Sequence, residues 1–243
     1  MGWMMFAAVC AYFIKGLCGF ANTLVFSTIL SFSTNNVNIS PVELVLGLPS
    51  NIMISYKERK SVDWKVCIPL AGLVLLGDIP GILMLKNTDT QVIKGIFGFV
   101  IIAIGLEMLF REYMGSAKKS QILLSVIGVL SGILCGLYGI GALLAAYMGR
   151  VTDNSSAFKG NLCIVFLIDN LFRLVMYSVT GIITVDTLKQ SVILIPFMGL
   201  GLYLGMKGSS FLDEKKIKKL VIISAFYLLQ QIESAHRWHL YIG

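Results

Sequence analysis

Two apolar stretches 120 residues apart are broken by glycine in the same pattern, and that repetition constrains the fold more than any other feature. The first reads Ile14-Lys15-Gly16-Leu17-Cys18-Gly19-Phe20-Ala21, the second Leu134-Cys135-Gly136-Leu137-Tyr138-Gly139-Ile140-Gly141. Each interrupts a hydrophobic run of roughly thirty residues, too long for one straight spanning helix of about 20. Glycine takes positive φ without steric cost, so the chain can turn sharply at both places. Glycine-broken hydrophobic segments in matching positions of two halves point to a carrier's substrate site.

Composition places the chain in a bilayer. Apolar residues make up 56% and charged residues 14%, with a mean hydropathy of +0.82. A soluble domain carries about 25% charged residues to clothe its surface. Apolar runs at 3–32, 41–56, 64–85, 92–110, 122–149, 161–183, 188–206 and 219–235 give an all-α polytopic membrane protein. The last run ends in polar residues, which leaves open whether it completes a span. The five cysteines lack paired ligand spacing, so neither disulfides nor a zinc site is expected.

The net charge of +7 reports orientation rather than nucleic-acid binding, because the basic residues sit in short loops. If segments one and five are re-entrant hairpins, 14 Lys and Arg fall on one side, in loops 57–65, 111–119, 150–159 and 207–219. Only Lys86, Lys94, Lys189 and Arg237 fall on the other. The basic loops are therefore expected in the cytoplasm and the protein in the inner or plasma membrane. If every segment crosses, the basic residues divide evenly and give no orientation.

Hairpins also make each half a re-entrant turn plus three crossings, an odd number, so the halves insert in opposite directions. The expected organisation is repeat 1 over 1–115 (hairpin 3–32, spans 41–56, 64–85, 92–110). Repeat 2 covers 120–243 (hairpin 122–149, spans 161–183, 188–206, 219–235). Further spacings agree: Asn51 and Asn170 are 119 apart, and Gly77/Gly81 and Gly201/Gly205 are 124 apart. No independent soluble domain is present.

The half-helices after the breaks should begin near Asn22 and Ala142, with unpaired N–H groups and positive dipole ends. Two such ends meeting at mid-membrane make an anion site. Close helix packing through small residues is the other use of these glycines. Asp169, Asn170 and Arg173 lie inside an apolar span, where charges are costly and usually face a cavity. Arg173 suits two-pronged oxyanion binding, and Asp169 suits coupling to an ion; a self-neutralising Asp169–Arg173 pair on one helix face is the alternative. The candidate substrate contacts are Gly19, Asn22, Asn51, Gly139, Gly141, Asn170 and Arg173. Secondary candidates are Lys15, beside the first break, and Asp78, which fits either proton coupling or simple packing. Glu43 and Glu107 lie near span ends and read as interfacial.

Catalysis is poorly supported. The two histidines, His236 and His239, stand in the C-terminal tail, and Gly136–Gly141 lacks the lysine of a phosphate-binding loop. No serine has a plausible histidine partner, and no cofactor or metal is expected.

A duplicated hydrophobic chain whose halves each open on a Gly-x-x-Gly-type break resembles the TauE/SafE family, the sulfite exporter-like or toluene-sulfonate-uptake permeases. The resemblance runs over about residues 9–227. It is best at Gly132-Ile133-Leu134-Cys135-Gly136-Leu137-Tyr138-Gly139-Ile140-Gly141 and extends to the basic loop 57–65 with Val62-Asp63-Trp64. The family tends to run Gly-Ile-Gly-Gly-Gly where this chain has Gly139-Ile140-Gly141-Ala142-Leu143. The resemblance implies transport of small anions such as sulfite, sulfonates or related carboxylates, coupled to an ion. A channel-like anion pore and a non-transporting assembly partner are the rival readings. The expected partners are a small anionic substrate, the lipid bilayer and a coupling ion; a homodimer is one open assembly state.

Overall fold

The computed structural model describes residues 2–31, 39–87, 121–139, 141–152 and 154–209. Among them are eight α-helices and no strand. They are α1 (Gly2–Cys18), α2 (Asn22–Ser31), α3 (Ile39–Lys57), α4 (Trp64–Asn87), α5 (Gln121–Tyr138), α6 (Ala142–Val151), α7 (Ser155–Val179) and α8 (Val185–Gly208). A 3-10 turn at Arg59–Ser61 joins α3 to α4. The spans expected at 92–110 and 219–235 lie outside the described residues, as do loop 111–119 and most of loop 207–219.

Local chemistry sets the ends. α7 begins ahead of the apolar run expected at 161–183 because the Asn154 side chain caps it, accepting from the Ala157 N–H at 2.7 Å. It stops at Thr180 and Gly181, the latter at φ +75°. α8 starts on a capping box, in which Thr184 Oγ1 accepts from the Thr187 N–H at 3.2 Å and Thr187 Oγ1 accepts from the Thr184 N–H at 2.9 Å.

Burial is inverted relative to a water-soluble protein. Ile68, Leu76, Val175 and Val192 are all more than 60% exposed, while Lys15, Glu43, Asp78, Asp169 and Arg173 are at most 4% exposed. An apolar exterior around a charged interior is stable in hydrocarbon and not in water. Three described helices are long and apolar enough to cross a bilayer: Trp64–Met84 of α4, Ser155–Val179 and Val185–Gly208. The chain is a multi-pass membrane protein.

Two apolar cores organise the bundle. One gathers α1, α2, α3 and α8 together with Cys163 of α7, the other α4, α5, α6 and α7. Each is held by a pair of helices whose backbones touch. On α1 and α8, a side chain at Gly16 would strike the carbonyl of Leu202 and the nitrogen of Met206. On α5 and α4, one at Gly136 would strike the carbonyl of Asp78 and the nitrogen of Ile82. Gly16 and Gly136 are 120 apart, and both Asp78/Leu202 and Ile82/Met206 are 124 apart. The reciprocal contacts match too: Gly205 and Gly81 meet the carbonyls of Phe13 and Ile133, while Gly201 and Gly77 meet those of Val9 and Val129. These three glycine contacts thus recur with the halves exchanged. Gly16 and Gly136 are accordingly packing glycines, of the kind that lets membrane helices approach closely.

Overpacking these seams should separate helices that nothing else can hold at that distance. Gly81→Val and Gly205→Val are each expected to lower stability by about 1–3 kcal/mol. Gly72→Ala, in open space within α4, should not destabilise and should gain about 0.5–1 kcal/mol of helix propensity. Unfolding of detergent-solubilised protein checks the comparison; equal effects at all three positions would contradict the close-seam account.

Candidate functional site

Both glycine breaks are built alike. α1 ends with the Gly19 N–H on the Lys15 carbonyl at 2.6 Å, and α5 ends with the Gly139 N–H on the Cys135 carbonyl at 2.7 Å. Gly19 and Gly139 then take φ +87° and +72°. α2 starts at Asn22 and α6 at Ala142, their first internal bonds running from Val25 to Ala21 and from Ala145 to Gly141. Ala21 carries φ +72°, a left-handed conformation costing an L-residue roughly 1–2 kcal/mol. The Trp3 indole donates to the Ile29 carbonyl at 2.9 Å, so the chain doubles back at the first break.

One cavity lies between the breaks. It is lined by Lys15, Ala21, Asn22, Thr23, Glu43, Gly47, Asn51, Gly139, Gly141, Phe166, Asp169, Asn170 and Arg173. α1 and α2 supply one wall, the Gly139–Gly141 turn a second, and the facing surfaces of α3 and α7 the rest. On α3, Glu43, Gly47 and Asn51 recur every four residues and so share a face. On α7, Asp169, Arg173 and Tyr177 do the same. Gly47 leaves room for the Asn170 amide, whose nitrogen would be 2.7 Å from any Cβ there. Gly141 similarly leaves room for the Phe166 ring.

Glu43 is the hub. The Asn22 amide donates to its Oε1, and the Thr23 hydroxyl lies 2.6 Å from its Oε2 and 3.0 Å from the Gly139 carbonyl. A side chain at Gly139 would sit 3.2 Å from Glu43 Oε2 and 3.3 Å from Arg173 Nη2. One carboxylate therefore ties the start of α2 to the second break. Glu43 is buried at 4% exposure, which corrects its reading as interfacial. Helix α3 begins at Ile39, so Glu43 lies a turn inside it and faces the bundle. The four-residue stripe Glu43, Gly47, Asn51 marks its face of the helix but not the partners it meets there.

Arg173 is held on several sides. Nη1 lies 3.5 Å from Asp169 Oδ2, and Nη2 donates to Tyr177 Oη at 3.3 Å and Ser40 Oγ at 3.4 Å. Tyr177 in turn donates to the Gly136 carbonyl at 2.9 Å. Other cavity groups are unsatisfied. Both ends of the buried Asn51 amide lack hydrogen-bond partners, as does Arg173 Nε. The Lys15 ammonium is 5.7 Å from the centre of the Tyr12 ring.

Of the residues singled out from sequence, Lys15, Asn22, Asn51, Gly139, Gly141, Asp169, Asn170 and Arg173 meet at this cavity. Gly19 does not line it; it shapes the turn against Lys159, and its carbonyl accepts from the Cys163 thiol at 3.6 Å. Asp78 also lies off the cavity, fully buried behind Asp169. Among the described residues no cluster of His, Cys, Asp and Glu could hold a metal.

A family model of the sulfite exporters matches residues 4–231, nearly the whole chain. The chain belongs to the sulfite exporter TauE/SafE family. Members of the TauE/SafE family are membrane transporters rather than enzymes. No curated protein and no solved structure matches the chain.

Removing the Glu43 carboxylate takes the acceptor from the Asn22 amide and leaves Thr23 only the Gly139 carbonyl. Glu43→Ala is expected to cost about 1–3 kcal/mol, and Glu43→Gln less because its amide oxygen still accepts. Thermal unfolding of the purified variants measures this; an unchanged Glu43→Ala would remove Glu43 from the hub.

Proposed function

We propose that this protein is an ion-coupled secondary transporter of small organic or inorganic anions: sulfite, a sulfonate or a related carboxylate. The observation that carries the reading is the convergence of two buried cations, Lys15 and Arg173, with unsatisfied amide groups of Asn51 on one cavity. Buried cations and donors without full sets of partners are what an anion can satisfy. The α6 N-terminus begins at the cavity edge and adds its dipole, whereas the start of α2 is already engaged by Glu43. The anion would rest between Lys15, Asn51, Asn170, Gly139, Gly141 and Arg173, with Asn22 engaging it when Glu43 moves aside.

The two halves form inverted repeats with re-entrant hairpins 3–32 and 122–149, and the cavity lies near the midplane. Support comes from the exchanged contacts of Gly16/Gly136 and Gly81/Gly205, which relate the halves residue by residue. Rocking of one α1–α8 and α4–α5 pair against the other alternates access. The protein lies in the inner or plasma membrane with loops 57–65, 111–119, 150–159 and 207–219 in the cytoplasm.

Counterflow in proteoliposomes preloaded with sulfite, sulfoacetate, methanesulfonate or a dicarboxylate, with a cation as control, tests the reading. Accelerated exchange of one anion group, and none of the cation, is expected. Arg173→Ala should weaken the apparent affinity about 10- to 100-fold, the value of a charge-assisted hydrogen bond pair. A folded Arg173→Ala protein with unchanged affinity would exclude Arg173 from the site, and absence of any anion exchange would overturn the carrier.

A further inference from the structure

Behind the cavity wall two carboxyls face each other. Asp78 of α4 is fully buried, and neither of its oxygens receives a hydrogen bond from a side-chain hydroxyl, amide or backbone N–H. What it faces is the carboxyl of Asp169 on α7. Asp169 Oδ1 is equally unsatisfied, while its Oδ2 meets Arg173 at 3.5 Å. The seam of Gly77 and Gly81 against α5 places Asp78 where backbones touch. The other charged or titratable groups toward the pair are Arg173 from α7 and the Cys135 thiol from α5. Glu43 from α3 and Tyr177 from α7 reach it through Arg173.

Two facing carboxyls with no donor between them are satisfied when one proton bridges them as O–H···O. Charge gives the same answer. Lys15 and Arg173 stand against Glu43, Asp169 and Asp78, so the fully ionised set sums to −1 (two positive, three negative) and repels an anion. One proton brings the set to zero, and a monovalent anion returns it to −1. Empty and loaded sites then carry equal charge, so both can reorient in lipid at the same electrostatic cost.

We propose that Asp78 and Asp169 form the binding site for a proton that travels with the anion, Arg173 exchanging between Asp169 and that anion. The proposal rests on the carrier reading above and names its coupling ion. The proton enters from cavity water at Asp169, which lines the cavity, and an O–H bond forms there with Asp78 as acceptor. The guanidinium, released from a neutralised Asp169, turns to the anion. When the anion leaves, Arg173 returns to Asp169 and the proton goes back to water. No other bond is made or broken.

The test uses proteoliposomes with labelled sulfite and with methanesulfonate, which carries no proton of its own near neutral pH. An opposing pH difference of about one unit can concentrate an electroneutrally coupled monovalent anion about tenfold. The unsubstituted protein should reach that ratio with methanesulfonate. Asp78→Asn, off the cavity, should fall to about onefold, while exchange of labelled for unlabelled anion continues and size-exclusion profiles show folded protein. Gradient-driven accumulation that persists in Asp78→Asn, beside intact exchange, would overturn the carboxyl pair and leave the carrier standing. Exchange of neither anion by the unsubstituted protein would overturn the carrier and the pair with it.

Discussion

The rest of this structure depends on the backbone-to-backbone approach of α1 to α8 and of α4 to α5. In lipid there is no hydrophobic force between helices, so small residues that let backbones touch supply the attraction. Gly16, Gly201 and Gly205 do this on one side, and Gly77, Gly81, Gly132 and Gly136 on the other. Both seams run between the halves of the chain. Each glycine break is therefore anchored by a helix from the opposite half, and the position of one break fixes that of the other.

That arrangement explains how non-helical backbone and five buried charges coexist with an apolar exterior. Irregular backbone at membrane depth is tolerated only where protein surrounds it or a cavity serves it. Here the breaks at Gly19 and Gly139 are closed by equivalent capping bonds and joined through Thr23 and Glu43. Glu43, Asp169 and Arg173 lie on the facing stripes of α3 and α7, where every fourth residue is polar, small or aromatic, with Lys15 on α1 and Asp78 on α4 beside them. Lipid sees the other faces, with exposed Ile52, Leu171 and Val175.

Much of this could be read from the sequence, for definite reasons. Glycine pairs within long apolar runs mark the breaks because no other residue turns so cheaply, and the helices do resume at Asn22 and Ala142. Asp169, Asn170 and Arg173 were visible because polar residues within an apolar span are conspicuous. Glu43 was not, because its partners Asn22, Thr23 and Gly139 are brought to it only by tertiary packing. Its nearness to the end of an apolar run suggested water instead. The division of labour among glycines was equally hidden: Gly16 and Gly19 differ by one helical turn, yet one packs and the other bends the chain. Helix starts at Asn154 and Thr184 depend on side-chain caps, which hydropathy does not register.

The central claim is that an anion sits between the two glycine turns. The most direct measurement is a crystal structure with selenite, a heavier relative of sulfite whose selenium scatters anomalously. The account predicts an anomalous peak within hydrogen-bond reach of Arg173, Lys15 and the Asn51 amide, accompanied by rearrangement of Glu43. A peak confined to the basic loops outside the bundle, with the cavity unaltered at saturating selenite, would contradict it.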